Sequence, residues 1–389
     1  MANHSLLKSI LEYIAGVQGD TSPGVQAGAI AAYISSPRPN VNRALAHLIA
    51  IGAIERQGAG RSVTYRVPEK APLPVDVTAV PHEAATAYVS PPWSTVGRNL
   101  ITALSAPLGA RHRVSYHRSY VDQYQPNVSS LLPAALGAQL YEIGKSKDQQ
   151  PAGTYARKLR EILLIDLSWY SSRLEGNRKS LSDTQALFER GCLESDDRDA
   201  IMLLNHKEAI EFLIDAVPSE GISVLVVRNL QSVLLRDLLL DAADLGAIRK
   251  KVVNIQDTVY VPSQLPSLLE ETLEKIIEKA RLIRNPVEAA FFLWVNLAYL
   301  QPFVDGNKRT SRLAANMPLM LANCSPLSFI DVGQSDYALA MIGVYERLDT
   351  TLAVELFEWT YRRSVAKYHA VVEAMGEPDA LRANHGRPH

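Results

Sequence analysis

The sequence predicts a mainly α-helical protein that carries a smaller unit of helices and strands at its N-terminus. Beyond residue 150, apolar residues recur at three- and four-residue spacing, which is the period of an amphipathic helix. Strand-like alternation is confined to residues 54–67 and 252–261. Six prolines fall between residues 68 and 92 and separate the two patterns. The 389 residues allow two or three domains of ordinary size.

The composition is that of a globular protein and excludes a disordered or fibrous chain, since 47% of the residues are hydrophobic and 21% are charged. The 40 basic and 41 acidic residues give a net charge of −1, so any site that attracts nucleic acid or acidic lipid must be local. Cys192 and Cys324 lie far apart and do not form a disulfide framework, which favours a reducing compartment.

No segment has the length of a membrane span. The longest apolar run, residues 289–300, is interrupted by Asn296 and is shorter than the roughly 20 residues that a spanning helix needs. Residues 6–12 have helical periodicity and lack the apolar core of a signal peptide. We therefore expect a soluble, cytoplasmic protein.

Residues 1–70 predict a winged helix-turn-helix domain. Pro37 and Pro39 separate the second of its helices from the third, because proline stops a helix. A turn rich in glycine, residues 58–60, then joins two strand-like runs. The predicted helices are at about residues 6–15, 27–35 and 41–51.

The winged helix is predicted to bind either DNA or another protein. Arg43 and His47 lie on the helix that would enter the major groove, and Arg61 lies on the wing, so these three residues are the candidates for DNA contacts. Residues 1–70 hold seven basic and four acidic residues, a net charge of +3, which is modest for a tight DNA binder. Docking to a protein is the alternative use of the fold.

The rest of the chain is predicted to form one large helical domain. Residues 71–105 are expected to be an irregular linker, residues 106–370 the helical domain, and residues 371–389 a disordered tail. Residues 252–261 are expected to form a β-hairpin within it. The predicted helices are residues 159–170, 184–190, 203–213, 268–283, 287–300, 309–317 and 351–363.

A charged segment at residues 301–312 is the most informative part of the sequence. It runs Gln-Pro-Phe-Val-Asp-Gly-Asn-Lys-Arg-Thr-Ser-Arg and follows an apolar helix that Asn285 caps and Pro286 begins. Gly306 permits a left-handed turn. The N–H groups from Asn307 onward would then lie at a helix N-terminus, where unpaired donors bind phosphate.

Three charged side chains favour the same interpretation. Arg309 and Arg312 are three residues apart, so they project from one side of a helix and can hold separate phosphates. Asp305 can coordinate Mg²⁺, which normally takes one or two carboxylates together with substrate phosphates. The alternative is a solvated helix start with surface ion pairs, which the full twelve-residue pattern disfavours.

This segment resembles the signature of the Fic family, which has the Fido fold and the pattern His-Pro-Phe-x-(Asp/Glu)-Gly-Asn-Gly-Arg-x-x-Arg. The resemblance implies a helical domain, patterned here over residues 93–368, that binds ATP with Mg²⁺ and transfers AMP to a hydroxyl side chain of a target protein. It also implies that the protein forms a homo-oligomer. The matching residues are Pro302, Phe303, Asp305, Gly306, Asn307, Arg309 and Arg312.

The resemblance also implies a role for each matching position. Asp305 would hold the metal, and Asn307 and Arg309 would bind the phosphates together with Gly306 and Lys308. Arg312 would hold the terminal phosphate. The catalytic positions would be Arg309 and the residue at the start of the signature, position 301.

Two positions depart from the family pattern. Gln301 stands where the family has its catalytic histidine, and an amide has no usable basicity, whereas histidine accepts a proton near neutral pH. Loss of a general base commonly lowers a rate by about 10²–10⁴, so we expect the transferase activity to be weak, altered or lost. Lys308 replaces the second glycine of the pattern. A lysine at this position resembles the death-on-curing toxin branch of the family, and this resemblance implies protein kinase activity.

Residues 171–177 resemble the inhibitory pattern of the family, (Ser/Thr)-x-x-x-Glu-(Gly/Asn), with Ser171 and Glu175 in register. The resemblance implies an inhibitory helix near residues 160–177 whose Glu175 pairs with Arg312 and blocks the γ-phosphate. Taken alone, the segment is a helix end closed by Gly176. The hairpin at residues 252–261 falls where the family has a flap that binds a target segment by strand addition, and a purely structural hairpin is the alternative.

Three hypotheses about function follow. The first is nucleotide-dependent modification of a protein hydroxyl group. The second is a nucleotide-sensing DNA-binding regulator without transferase activity, and the third is phosphoryl transfer of the kinase type. A phosphate-binding P-loop and a cluster of zinc ligands are both absent from the sequence.

Overall fold

The structure, a computed structural model, describes residues 90–146, 151–191 and 197–376 without interruption. Before residue 90 it describes residues 10, 13, 14, 17, 24–34, 41, 45, 48, 49, 54–57 and 63–66. The chain divides into two compact units, residues 1–87 and 88–389. The second unit is mainly helical, which confirms the fold class that the sequence predicts.

The first unit contains a helix and an antiparallel pair of strands. Helix α1 is Ala27–Tyr33, and strands β1, Glu55–Gln57, and β2, Thr64–Arg66, pair with Glu55 opposite Arg66. A small core buries apolar residues from several segments, namely Ile10, Ile14, Val25, Ile30, Val41, Leu45, Leu48 and Ile54. The winged helix as a whole stays a prediction, because its turns and its candidate DNA contacts, Arg43, His47 and Arg61, lie outside the described residues.

The second unit opens with a helix where the sequence predicted an irregular linker. Helix α2, Thr95–Leu104, is capped by the hydroxyl of Ser94, which accepts a hydrogen bond from the N–H of Gly97 at 3.0 Å. It buries Leu100 and Leu104 in the core. The predicted linker at residues 71–105 is therefore wrong over residues 95–104, and residues 71–89 lie outside the described residues.

Thirteen further helices are described in this unit. They are α3, Ser119–Asp122; α4, Ala134–Gly144; α5, Thr154–Lys158; α6, Arg160–Arg173; α7, Leu181–Arg190; α8, Arg198–Glu220; α9, Val224–Leu235; α10, Pro266–Leu282; α11, Pro286–Leu300; α12, Asn307–Ala314; α13, Asn316–Leu321; α14, Gln334–Arg347; and α15, Thr351–Gly376.

Several predictions for the helices differ from the structure. The single helix predicted at residues 309–317 is two helices, α12 and α13, which meet at Ala315. Five of these helices were not predicted, namely α3, α4, α5, α9 and α14. In α9 the β-branched valines hide the helical spacing of the apolar face it buries. The tail predicted from residue 371 is helical as far as Gly376, and residues 377–389 lie outside the described residues.

The hairpin predicted at residues 252–261 is also wrong. Residues 252–259 are irregular, and only Tyr260–Val261 forms a strand, β4, which pairs in parallel with β3, Val114–Ser115. Side chains from elsewhere satisfy backbone groups of this segment, so a hairpin ladder is not needed. The carboxylate of Glu346 accepts from the N–H of Val259 at 3.1 Å, and Nη2 of Arg111 donates to the carbonyl of Asp257 at 3.1 Å.

Helix α11 is the centre of the unit, and all fifteen of its residues are buried. The side chain of Asn285 caps it, accepting from the N–H groups of Val287 and Glu288 at 2.9 and 3.3 Å, and Pro286 is its first residue. Residues on one face of α11 belong to the first of the two large hydrophobic clusters of the unit, and residues on another face belong to the second. The end of α11 is thereby held in place, and the charged loop begins there. Within the described residues, no helix combines the length and apolar content that crossing a bilayer requires.

We expect Trp294→Ala to lower the free energy of unfolding by about 3–5 kcal/mol, the usual cost of emptying a buried aromatic site. Trp294 is fully buried on α11 and donates to the hydroxyl of Tyr337 at 3.1 Å. Urea denaturation followed by circular dichroism measures the loss. Leu282→Ala is the control, since Leu282 is 57% exposed and its truncation should cost under about 0.5 kcal/mol. Equal midpoints for the two variants would contradict the central role of α11.

Candidate active site

The loop between α11 and α12 is held by left-handed residues at both of its ends. Gln301 ends α11 with φ 54° and ψ 57°, and Gly306 precedes α12 with φ 77°. Phe303, between them, is 1% exposed and anchors the loop in the core. A Cβ atom on residue 306 would lie 2.2 Å from Cδ2 of Leu235, so only glycine fits beside α9.

Asn307 braces this loop through its side chain. Its Oδ1 accepts from the N–H of Phe303 and its Nδ2 donates to the carbonyl of Phe303, both at 2.9 Å. The first hydrogen bond within α12 is donated by Thr310 to the carbonyl of Gly306 at 2.8 Å. The N–H groups of residues 307–309 therefore precede the helical ladder and form the donor set of a helix N-terminus. The side chain of Asn307 supports the loop, so its N–H is the group suited to phosphate.

Arg312 and Glu175 meet in the structure. Nη2 of Arg312 donates to Oε1 of Glu175 at 2.6 Å and to the carbonyl of Ser171 at 3.0 Å, while Nε donates to the Ser171 hydroxyl at 3.0 Å. The Arg312 side chain has no exposed surface, and its guanidinium lies 4.9 Å from the ring centre of Tyr337. Glu175 follows the end of α6, so α6 brings both acceptors to the arginine.

The charges around Glu175 determine its ionisation. Burial acts to raise the pKa of Glu175, but Arg312, followed by Arg309 and Lys308, outweighs burial and lowers the pKa to about 2. The pKa of Arg312 is raised, since Tyr337 and Glu175 outweigh the effect of burial. The pair is therefore fully charged at neutral pH.

Arg309 reaches Asp305, and its remaining donors face no acceptor among the described residues. Its Nη2 lies 3.3 Å from Oδ2 of Asp305, while Nε and Nη1 are buried without a partner in that part of the chain. Nη1 of Arg312 is also buried without a hydrogen-bond partner among the described residues. Buried guanidinium N–H groups without acceptors cost free energy, so this cluster has an unmet capacity for an anion.

Gln301 is held by main-chain contacts. Its side-chain Nε2 donates to the carbonyl of Ala298 at 2.6 Å. Its main-chain carbonyl accepts from Nε of Arg249 at 2.7 Å. The N–H of Arg249 donates to the carbonyl of Pro302 at 3.0 Å. The side chain at position 301 can therefore donate a hydrogen bond but cannot remove a proton.

Arg249 was not identified from the sequence. Its buried guanidinium also donates to the carbonyls of Lys251 and Ser263 and to Oε1 of Gln264, so it joins the 249–264 segment to the loop that begins at Gln301. A lone arginine before two lysines has no distinguishing pattern, and its acceptors are known only from the fold.

A cleft of about 630 Å³ opens beside the loop. Its polar lining residues include Glu175, Asp305 and Lys308. Apolar lining residues come from the segment 253–257 and from α14 and include Val253, Ile255, Ala338, Met341, Ile342 and Tyr345.

The predicted site residues therefore fall into three groups. Some line the cleft, some are buried close to it, and some lie outside the described residues. The first group is Glu175, Gln301, Asp305, Gly306, Asn307 and Lys308; the second is Ser171, Arg309 and Arg312; the third is Arg43, His47 and Arg61.

Asp305 is the residue suited to a metal ion. Its side chain is 60% exposed and lines the cleft. Among the described residues no group of three or more histidine, cysteine, aspartate or glutamate side chains could hold a metal alone. One exposed carboxylate fits Mg²⁺, which takes its other ligands from phosphates and water.

Comparison with known sequences gives a family for part of the chain. Residues 222–319 match the Fic/DOC family. The chain is similar to protein adenylyltransferase fic-1 of Caenorhabditis elegans, with 25% identity over 175 residues, 44% of this chain and 34% of the relative. It is also similar to protein adenylyltransferase Fic of Nematostella vectensis, with 27% identity over 200 residues, 48% of this chain and 45% of the relative. The chain thus spans less than half the length of these relatives.

Solved structures support the same fold. Fic-1, residues 134–508, from C. elegans matches with a TM-score of 0.50 and 21% identity over 67% of this chain and 73% of that chain. A Fic family protein from Desulfovibrio desulfuricans matches with a TM-score of 0.51 and 20% identity over 66% and 79%. The matched family region contains the loop and Arg249, whereas Glu175 lies before it.

We expect Glu175→Gln to destabilise the protein at neutral pH by on the order of 2–3 kcal/mol, because it removes a carboxylate whose pKa is about 2 when folded. A pKa lowered by folding contributes stability above the unfolded value, and this contribution is lost as the pH falls towards the folded value. The difference in the free energy of unfolding between the parent and the variant should thus shrink steadily below about pH 4.5.

Urea denaturation at pH 7, 5, 4 and 3.5 measures this difference. Glu270→Gln, at an exposed position on α10, serves as the control and should show no such trend. A difference that is independent of pH would mean that the Glu175 charge does not stabilise the fold.

Proposed function

We propose that this chain, which carries a Fic/DOC-family domain at residues 222–319, binds ATP with Mg²⁺ in its cleft and slowly transfers AMP to a protein hydroxyl group. In the resting state Glu175 closes the site. The observation that carries the proposal is the ion pair between Arg312 and Glu175, beside a helix N-terminus and unsatisfied guanidinium donors. The relatives named as protein adenylyltransferases support the type of reaction.

The lining of the cleft suits both parts of a nucleotide. The first N–H groups of α12 and the ammonium of Lys308 favour a phosphate chain. Among the apolar lining residues, Ile255, Met341 and Tyr345 offer a surface for a purine base. A volume of about 630 Å³ is within the range of small-molecule sites.

Asp305 would hold the magnesium ion together with phosphate oxygens. A bound Mg²⁺ supplies neutralisation of phosphate charge and fixes the phosphate chain. Asp305 is suited to this because its carboxylate is 60% exposed, although it also lies 3.3 Å from Arg309, while the carboxylate of Glu175 is more buried and is engaged by Arg312 at 2.6 Å.

Glu175 would inhibit by two effects. It occupies the guanidinium edge of Arg312 that a terminal phosphate would use, and its negative charge repels a phosphate at that place. Nucleotide binding in the productive position therefore requires the Glu175 side chain to leave. The free energy of the broken pair is subtracted from the affinity for ATP.

Gln301 would limit the transfer step. In that step the target hydroxyl oxygen forms a bond to the α-phosphorus, the bond from this phosphorus to the pyrophosphate oxygen breaks, and the hydroxyl proton must be accepted by a base. Gln301 can orient the hydroxyl by a hydrogen bond but cannot accept the proton. Water and phosphate oxygens are weaker bases, so the rate should be lower by about 10²–10⁴ than with histidine.

Phosphoryl transfer is the second candidate, because Lys308 lines the cleft at the first turn of α12. The nucleotide would then be seated with its γ-phosphate at the attack position. The hypothesis of a nucleotide-sensing DNA-binding regulator depends on Arg43, His47 and Arg61, which lie outside the described residues.

We expect Glu175→Gly to bind ATP·Mg²⁺ at least tenfold more tightly than the parent, since ATP no longer has to break a charge-assisted pair. Isothermal titration calorimetry measures the affinity. Adding Arg312→Lys to Glu175→Gly is the matched control and should remove most of the gain, because lysine cannot bind phosphate with two parallel hydrogen bonds. Equal affinities for the parent and Glu175→Gly would disprove the inhibitory role.

We expect Gln301→His combined with Glu175→Gly to increase AMP transfer at least about 100-fold over Glu175→Gly alone, because it restores a general base. Incubation of each variant with a protein lysate and ATP labelled at the α- or the γ-phosphate measures the transfer. Label from the α-phosphate alone supports AMP transfer, and label from the γ-phosphate alone supports phosphoryl transfer. An unlabelled lysate, with ATP binding intact, would exclude both.

A further inference from the structure

A buried histidine lies directly behind the pair formed by Arg312 and Glu175. His206 is on α8, fully buried, and its Nε2 lies 3.2 Å from the hydroxyl oxygen of Ser171. Its Nδ1 lies 2.8 Å from the carbonyl oxygen of Met202, one helical turn earlier on α8. The sequence alone favours a helix residue satisfied by its neighbours at this position.

The directions of these hydrogen bonds follow from the chemistry of each group. The carbonyl of Met202 can only accept, so Nδ1 of His206 carries the hydrogen and Nε2 is an acceptor. The guanidinium of Arg312 can only donate, so the Ser171 oxygen accepts from it at 3.0 Å. The Ser171 hydrogen is then directed to Nε2 of His206. We assign this tautomer from the partners.

The result is one directed chain from Arg312 through Ser171 and His206 to the backbone of α8. Whether each group donates or accepts is determined by the group next to it. The Ser171 hydroxyl therefore cannot rotate without losing a hydrogen bond. The chain of hydrogen bonds therefore joins the end of helix α6 to the long helix α8, although α8 donates and accepts no hydrogen bond with Arg312 itself.

We propose that His206 is a positioning residue, which orients Ser171 so that Arg312 is held in place against Glu175. The proposal rests on the proposed function, because it assumes that the pair of Arg312 and Glu175 closes a nucleotide site. Without an acceptor at position 206, the Ser171 hydroxyl is free to rotate and Arg312 loses the fixed acceptor for its Nε. The closed pair then becomes weaker, and nucleotide binding costs less.

The role of His206 is constant near neutral pH. Burial, and after it the charge of Arg309, lowers the pKa of His206 to about 3. Arg312 lowers the pKa further, while the Met202 carbonyl and Glu175 oppose the effect. The ring is thus neutral at pH 7, as an acceptor for Ser171 must be, and it does not act as a pH switch there.

The test compares His206→Leu with His206→Gln. Leucine keeps the approximate volume and removes the acceptor, while glutamine keeps an oxygen that Ser171 can reach. By calorimetry with ATP·Mg²⁺, we expect His206→Leu to bind about tenfold more tightly than the parent, the effect of one lost hydrogen bond. His206→Gln should stay within about threefold of the parent. Ser171→Ala should tighten binding in the same direction and keeps the proposal testable if His206→Leu does not fold.

A double-mutant comparison separates positioning from general destabilisation. In the Glu175→Gly background, His206→Leu should change the affinity by less than about twofold, because the pair it supports is already absent. Tighter binding by Glu175→Gly together with unchanged or weaker binding by His206→Leu would overturn the proposal.

Hydrogen exchange provides a readout that does not depend on nucleotide. We expect backbone amides of residues 171–177 to exchange at least about tenfold faster in His206→Leu than in the parent, with no change in α15. Unchanged exchange at 171–177 would overturn the positioning role. Faster exchange together with no effect of Glu175→Gly on ATP affinity would uphold the positioning role and disprove the proposed inhibition instead.

Discussion

The guanidinium group of Arg312 lies completely out of solvent, and a buried positive charge is stable only when acceptors surround it. The end of α6 supplies these acceptors through Ser171 and Glu175, and α8 supports Ser171 through His206. Side chains from three segments of the chain therefore meet in one hydrogen-bonded cluster. One Arg312 donor, Nη1, still faces no acceptor among the described residues, which costs free energy in this arrangement.

A second constraint acts on the backbone of the same site. Helix α11 is buried on every face, so its end cannot shift, and the chain must turn sharply into α12. Left-handed residues at 301 and 306 make that turn, Asn307 braces it, and Arg249 fastens its first carbonyl groups to the 249–264 segment. The first N–H groups of α12 are thereby held in a fixed arrangement, as the proposed phosphate site requires. Most of this bracing comes from Asn307, Arg249 and the buried Phe303, and not from the side chain at position 301.

Much of this architecture follows from local sequence. The cap Asn285 and the proline after it predict the start of α11, and the apolar spacing of α10, α11 and α15 predicts three of the longest helices. The charged loop was predicted with its glycine turn, because that turn depends on neighbours within a few residues. The juxtaposition of Glu175 and Arg312 came from the resemblance of two motifs and not from local physics, since 137 residues separate them.

By itself, the sequence determined the helices with regular apolar spacing, the left-handed glycine and the chemical identity of the loop, since these are local properties of the chain. Only the tertiary structure decided what Arg249 and His206 do, because their acceptors are carbonyl and hydroxyl groups on other segments. It also decided that residues 252–259 form no hairpin, because the Glu346 carboxylate and the Arg111 guanidinium satisfy backbone groups there. A side chain that takes the place of a strand partner leaves no periodic signal in the sequence.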